Sequence, residues 1–389
     1  MKQSDRNIYI SERIAQAVKD SGGRVFYVGG YVRDKILGRV SKDIDIEIHG
    51  VTESRLNDIL HTLGEPLSMG ASFGILGLRH YSVDIVLPRS LITGEIDPFT
   101  GYIDAAKRRD FTINALMQDV LTGEILDFFG GIDDIRDRII RRVDDDTFLL
   151  DPLRVIRAAR FSAVLKFSVD GDTRRICSSA DISRLAPERV YSELESALTK
   201  SESPSRFFAV LADMNQLSPW FAEVSDSDIL DKAAAVREKS SYMAGFMLAV
   251  LCHDWAEGDT VRFLSRLTND SHLTEYALNM SQSAKRLAAV PPDSPVSSFL
   301  RLLDEAESPD DLSLMSEILT GDSRSDILRL YHERMSQPYV TGADILRLGA
   351  EPGKLVGEIL RHIHALRLEG VPKDIQLVEA MKYIAEGKS

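Results

Sequence analysis

Asp43 and Asp45 stand two residues apart in VFYVGGYVRDKILGRVSKDIDIE, residues 25–47, a short way past the pair Gly29-Gly30. In an extended segment residues i and i+2 share a face, so both carboxylates present together and suit a hard divalent cation such as Mg2+. The glycines separate an apolar run from a helical one. Without a Cβ they let backbone N–H groups approach an oxyanion, and the start of the following helix adds a favourable dipole. Arg33 follows one helical turn later. Metal held by such carboxylates activates an attacking hydroxyl and neutralises a leaving pyrophosphate. Either feature alone is common; their union in one β-turn-α-β unit marks a nucleotidyl-transfer centre.

The elements that must position these groups are strands at Arg24–Val28, Asp43–Ile48, Gly74–Leu78 and Ser82–Leu87, with Glu124–Phe128 as an edge, read from short apolar alternation. They imply a small mixed or largely antiparallel sheet. Asp84 alternates with Val83 and Ile85 on the fourth strand; if that strand neighbours the Asp43–Asp45 strand, Asp84 completes a carboxylate set. Residues 88–107 hold two prolines and two glycines and read as a loop. Past residue 145 the pattern is helical almost throughout. The fold class is therefore α+β, a sheet-containing head followed by an elongated all-helical body.

Two later blocks carry charge with a pattern. KRRDFTINALMQD contributes Arg108, Arg109, Asp110 and Asn114, and in LLDPLRVIRAARFSAVLKF, Asp151, Arg154, Arg157 and Arg160 recur every third residue as a drifting polar stripe on one helix. Three arginines on one stripe repel unless an anion or carboxylates sit among them. An anionic ligand is the direct explanation, and salt bridges to Asp144, Asp145 and Asp146 are the competing one. Arg136, Arg138, Arg141 and Arg142 alternate with Asp133, Asp134 and Asp137, which fits a solvated helix end as well as a basic track. LAPERVYSELESAL, residues 185–198, reads as a packing helix.

The net charge of −13 argues against polyanion binding by the whole surface and leaves room for a local basic track. At 389 residues the chain can build several cores without disulfides, and Cys177 and Cys252 cannot form a disulfide framework, so a reducing compartment is expected. The amphipathic N-terminus has no signal-peptide core, and no apolar run reaches membrane-spanning length; the expectation is a cytoplasmic protein without membrane partners. His253-Asp254 hints at a metal phosphohydrolase pair, but no histidine lies between His80 and His253 to supply an upstream ligand.

GGYVRDKILGRVSKDIDIE, RRDFTINAL and DPLRVIRAARF, in that order and at those distances, resemble the class II tRNA nucleotidyltransferases that build the 3′-terminal CCA; bacterial poly(A) polymerases share the same head. The closing VTGADILRLGAEPGKLVGEIL is similar to the tail of the CCA-adding enzymes. The resemblance implies a head over residues 1–140, a neck with a base-reading helix over 141–200, a body over 201–335 and a tRNA-binding tail over 336–389. It implies that Gly29, Gly30 and Arg33 hold the triphosphate and sugar, and that Asp43 and Asp45 ligate Mg2+. Arg108, Arg109, Asp110 and Asn114 would help bind the nucleotide, and Arg157 and Arg160 would complete contacts to phosphate or to neighbouring helices. Asp151 and Arg154 would read the base edge of CTP or ATP: a carboxylate accepts from an exocyclic amine, which cytosine and adenine both carry.

The implied activity is template-independent addition of C and A to the tRNA 3′ end, with the 3′ end and acceptor arm of tRNA, CTP and ATP as partners. Two departures bear on this. Leu150 stands where the family has Glu ahead of the base-reading Asp, and the segment between Asp84 and Arg108 is short where relatives keep the loop needed for the final A. Addition of CC alone, or of A alone, is therefore the first alternative. Poly(A) synthesis and a noncatalytic RNA-binding relative come after it.

Overall fold

The computed structural model describes residues 3–40, 44–68, 75–291, 293–322 and 324–386. Asp43 and Gly74 lie outside the described residues. The chain divides into two compact units, one formed by Met1–Glu193 with Ala209–Pro219, the other by Leu194–Phe208 with Trp220–Ser389.

The first unit begins with helix α1 (Gln3–Asp20), whose Ile10, Ile14 and Val18 recur at four-residue spacing and are buried. Strand β1 (Arg24–Val28) leads through the glycine turn into helix α2 (Gly30–Ile36), and β2 (Ile44–His49) follows. Helix α3 (Glu53–Leu63) is capped by the Thr52 hydroxyl, which accepts from the Arg55 N–H, and it buries Leu56, Ile59 and Leu60. Then come β3 (Pro66–Ser68), β4 (Leu76–Leu78), β5 (Val83–Val86), helix α4 (Tyr102–Lys107), β6 (Met117–Asp119) and β7 (Ile125–Leu126).

These strands form one seven-stranded mixed sheet in the order β3-β4-β5-β2-β1-β6-β7. β2 lies antiparallel to β1 and parallel to β5, with Asp45 directly opposite Asp84. Ile44, Ile46 and Ile48 are buried on one face of β2. The other face carries Asp45, Glu47 and His49 and adjoins a cluster of Phe26, Val28, Ala106, Ala115 and Met117.

The expected sheet forms, with differences that have local causes. β3 and β6 were not expected: each spans three residues, too few to show alternation, and they gain their pairing from β4 and from β1. The residue 88–107 segment is a loop only in its first part. Arg89 bridges Ile96, and YIDAAK, free of glycine and proline, forms α4 after Gly101.

The unit continues through α5 (Gly131–Asp137), the short strand β8 (Ile139–Ile140), α6 (Asp145–Phe148) and α7 (Leu153–Leu165) to β9 (Ser168–Val169), which pairs in parallel with β8. Helix α8 (Gly171–Ser178), the start of α9 (Pro187–Lys200) and the segment Ala209–Pro219 complete it. Helix α7 buries Val155, Ile156, Ala158, Ala159 and Phe161 and turns its arginine stripe the other way.

The second unit is helical among its described residues. The apolar helix Met243–Leu251 is buried from Gly245 onward and packs on Ser271–Ala288; a Cβ at Gly245 would meet the Tyr276 ring at 2.6 Å, so this close crossing requires glycine. Toward the C-terminus, Val340, Ile345, Ala350, Ile359, Ile363, Ala380 and Ile384 form a core of their own, with the helices Gly342–Arg347 and Lys354–Leu368 on either side of the Gly349–Gly353 link.

Candidate active site

One cleft of about 580 Å3 in the first unit is lined by Gly29, Gly30, Tyr31, Arg33, Asp34, Asp45, Arg109, Asp110, Asn114, Asp151, Arg154, Arg157, Arg160 and Phe161. Three sequence blocks, residues 29–45, 109–114 and 151–161, thus converge on one cavity. Gly29 has φ +65°, a conformation open to glycine and strained for other residues, and its Cβ position would face Asp45 Oδ2 at 3.6 Å and Arg109 Nη1 at 3.7 Å. The turn is therefore bracketed by a carboxylate and a guanidinium.

Asp84 is not among the lining residues, but register places it beside Asp45 on the neighbouring strand. Arg108 also lies apart from the lining. Its Nη1 donates to the Ser90 carbonyl at 2.8 Å, so it braces the residue 88–107 segment, while its own carbonyl accepts from Arg154 Nη2. For a divalent cation the structure offers Asp45 and Asp84 at paired positions, an all-oxygen donor set of the right hardness, and Asp43 is outside the described residues. Among the described residues no three His, Cys, Asp or Glu side chains gather as a metal site, at His253-Asp254 or elsewhere. His253 Nδ1 lies 2.9 Å from the Val250 carbonyl.

A continuous polar chain ties the glycine turn to the arginine stripe. Arg33 is 8% exposed and donates from Nε to Asp34 at 2.8 Å and from Nη1 to the Asn114 side-chain oxygen at 2.7 Å. Asn114 donates to Asp110 Oδ1 at 3.0 Å, and Asp110 Oδ2 accepts from Arg157 Nε at 2.7 Å. Arg157 then reaches Glu193 at 3.1 Å, and Glu193 also accepts from Arg160. Phe161 sits under this chain with the guanidinium carbons of Arg33, Arg157 and Arg160 at 5.2, 5.3 and 3.8 Å from its ring centre.

The carboxylates among the arginines are thus Asp110 and Glu193, not Asp144, Asp145 and Asp146, the acids of the competing salt-bridge explanation. Asp144 pairs with Lys107 and Asp145 with Arg142, because α6 ends before the stripe begins. Arg136 and Arg141 likewise pair with acids of their own segment and its neighbour, Asp133, Asp134, Asp137 and Asp170, so that part of the basic track is a neutralised surface.

Burial pushes the Asp110 carboxyl up, but Arg157, Asn114 and the Phe111 N–H outweigh it and hold the group below the usual carboxylate range. Burial lowers Arg157, and Asp110 with Glu193 more than restore it, so its charge is secure. For Arg154 and Arg160 burial wins and both sit below the usual arginine value, still cationic at neutral pH. Arg154 donates to the Thr147 carbonyl at 2.8 Å and to the Arg108 carbonyl, so two backbone oxygens orient it; Leu150 is 75% exposed. Asp151 pairs with Arg189 of α9 at 2.7 Å.

Sequence reasoning missed Glu193, whose partners lie more than thirty residues upstream, and treated its helix as packing alone. It also missed Glu47, which accepts from Arg109 Nη2 at 2.7 Å; Asp43, Asp45 and Glu47 alternate, and that spacing was the available signal.

Residues 25–141 match the family described as the Poly A polymerase head domain. The chain is similar to a Multifunctional CCA protein of Stenotrophomonas maltophilia, 32% identical over 264 residues, 64% of this chain and 63% of the relative. A Multifunctional CCA protein of Pasteurella multocida is 36% identical over 218 residues, 52% of this chain and 50% of the relative. The chain thus spans about 50 to 63% of the length of these curated relatives. Among solved structures, a Bacillus stearothermophilus CCA-adding enzyme in complex with CTP shares the fold with a TM-score of 0.75 at 24% identity, covering 95% of this chain and 94% of that one. A Thermotoga maritima CCA-adding enzyme complexed with tRNA shares it with a TM-score of 0.72 at 21% identity, covering 96% and 94%.

Proposed function

We propose, from the match of residues 25–141 to the Poly A polymerase head domain and the similarity to Multifunctional CCA proteins, that this chain belongs with the class II tRNA nucleotidyltransferases and bacterial poly(A) polymerases and adds C and A to the 3′ end of tRNA from CTP and ATP without a nucleic-acid template. The observation that carries the reading is the single cleft that gathers the glycine turn, Asp45, Arg109 and the Asp151–Arg160 stripe.

Asp43 and Asp45 would hold Mg2+, which when bound would polarise the α-phosphate and neutralise the departing pyrophosphate, with Asp84 completing the carboxylate set. The chain's own groups do the rest. Gly29 and Gly30 leave room for the triphosphate at the turn, and Arg33 and Arg109 bring guanidinium charge to it. Asp84 stands beside Asp45, where it can accept the proton of the attacking 3′-hydroxyl. Asp151 accepts from the exocyclic amine of the base and Arg154 donates to the ring edge. The carbonyls of Thr147 and Arg108 hold Arg154 in the place of the family's Glu. Residues 1–140 would act as head and 141–200 as neck, while 201–335 and 336–389 would follow the tRNA acceptor arm by shape and phosphate contacts. No helix among the described residues is long and apolar enough to cross a membrane, and a tRNA substrate supports the cytoplasmic reading.

The test incubates purified protein and Mg2+ with three tRNA transcripts, one lacking the terminal CCA, one ending in CC and one complete, each with CTP or ATP alone and with both. The expected result is C addition to the first, A addition to the second and none to the third. Stopping after CC identifies the CC-adding alternative, A addition to the second transcript alone identifies the A-adding one, and long A tails identify poly(A) synthesis. No addition to any transcript would overturn the proposal. Asp151→Ala should narrow the preference for CTP over UTP by about tenfold, the worth of one lost charged hydrogen bond. Selectivity ratios from competing nucleotides read this out, and an unchanged ratio removes Asp151 from base reading.

A further inference from the structure

Resting on the reading that Arg109 meets the triphosphate, we infer that Glu47 and His49 are positioning residues for Arg109. They set the triphosphate share of nucleotide binding although neither lines the cleft. Glu47 is 6% exposed and His49 3%. Glu47 Oε2 accepts from Arg109 Nη2 at 2.7 Å, and Oε1 lies 3.0 Å from His49 Nε2. His49 Nδ1 in turn lies 3.2 Å from the Thr100 carbonyl. The Phe26 and Tyr102 rings stand nearly perpendicular to the imidazole, with ring centres 5.7 and 4.9 Å away, so it is held by aromatic packing as well as at its nitrogens.

The direction of this chain is what assigns the role. Holding Nη2 of Arg109 fixes the plane of the guanidinium and leaves Nη1 directed at Gly29, beside Asp45 Oδ2. A long arginine side chain loses rotamer freedom when it captures a ligand, and an anchor that has already removed that freedom strengthens binding. Glu47 is two residues beyond Asp45 on the same strand, about 6.6 Å along it, so one rigid element sets both the carboxylate and the guanidinium anchor. Burying a carboxylate for fold stability alone is a poor use of the position, since apolar residues of similar volume pack as well without desolvation. Thr100 adds a link to the segment following β5, which is itself tied to β2 by the Gly50 N–H bond to the Pro98 carbonyl at 2.8 Å.

The experiment measures CTP and CMP affinities of the full chain by calorimetry with Mg2+, together with kcat and KM for C addition. Glu47→Ala is expected to weaken CTP about tenfold and CMP less than twofold, with KM rising more than kcat falls. Glu47→Gln should recover most of the CTP-to-CMP ratio, because its carbonyl still accepts from Arg109 and its amide N–H can donate to His49 Nε2. His49→Phe keeps the aromatic packing and removes only the brace, for an expected fall in the ratio of about threefold; it carries the test alone should Glu47→Ala fail to fold. An unchanged ratio in Glu47→Ala and His49→Phe, or equal losses for CTP and CMP in them, overturns the positioning role and leaves the proposed function standing. Failure of the unsubstituted protein to bind CTP or ATP overturns both.

Discussion

Asp45→Ala is expected to lower nucleotide addition by about a thousandfold or more while leaving the melting temperature within about 2 °C of the unsubstituted protein. The magnitude follows from what the carboxylate would do. A metal clamp on a transferring phosphate contributes several kcal/mol of transition-state stabilisation, and about 4 kcal/mol corresponds to about three powers of ten in rate. The loss should fall on kcat and kcat/KM alike, because the interaction strengthens as the pyrophosphate departs. Stability should hardly change, since Asp45 itself is only half-buried while Ile44, Ile46 and Ile48 anchor the strand on its other face. Single-turnover extension of a tRNA transcript, followed at one-nucleotide resolution, measures the effect. Activity within tenfold of normal would remove Asp45 from metal binding and, with it, the role given to its register partner Asp84.

Much of this site was legible because it is local. A glycine turn, a helix and a two-residue alternation of aspartates are each written in consecutive residues, and β1 and β7 follow from short apolar runs with turns beside them. The pairing of Asp45 with Asp84 was legible only conditionally: alternation put Asp84 on a polar face, and the parallel register of β2 and β5 supplied the neighbour. What sequence could not display is partner choice across distance. The arginine stripe plainly needed compensation; an anionic ligand was the direct explanation, and the nearest acids in sequence were the competing one. The fold brings Asp110 from before α5 and Glu193 from α9 instead. Leu150 teaches the same lesson. Losing an acidic side chain ahead of Asp151 would leave Arg154 loose if side chains alone oriented it, but two backbone carbonyls do so, and carbonyls leave no mark in a residue pattern.

Asp110→Ala should be the most destabilising of the single changes considered, by about 3 kcal/mol, because it breaks a buried ion pair from one side. Asp110 is 7% exposed and accepts from Arg157, Asn114 and the Phe111 N–H; alanine strands all three. Glu193 still faces Arg157, which keeps the cost toward the lower end of the range for such pairs. For a unit of this size the melting temperature should drop by roughly 6 to 12 °C.

Asp110→Asn preserves shape and one acceptor, so it separates charge from packing, and pH then tests the electrostatic part. The folded-state carboxyl sits below its usual range, so its charge contributes stability that is fully present above the unfolded value of about 3.9 and is lost as pH falls through the depressed folded value. The stability gap between the unsubstituted protein and Asp110→Asn should therefore be constant from pH 7 to about 5 and narrow below about 4. Urea titrations at pH 7, 5, 4 and 3 measure it. A gap that stays the same in acid would mean that Asp110 serves as a neutral packing group. The chain from Arg33 through Asn114 to Arg157 would then owe its order to Glu193 and Phe161 rather than to the buried carboxylate at its centre.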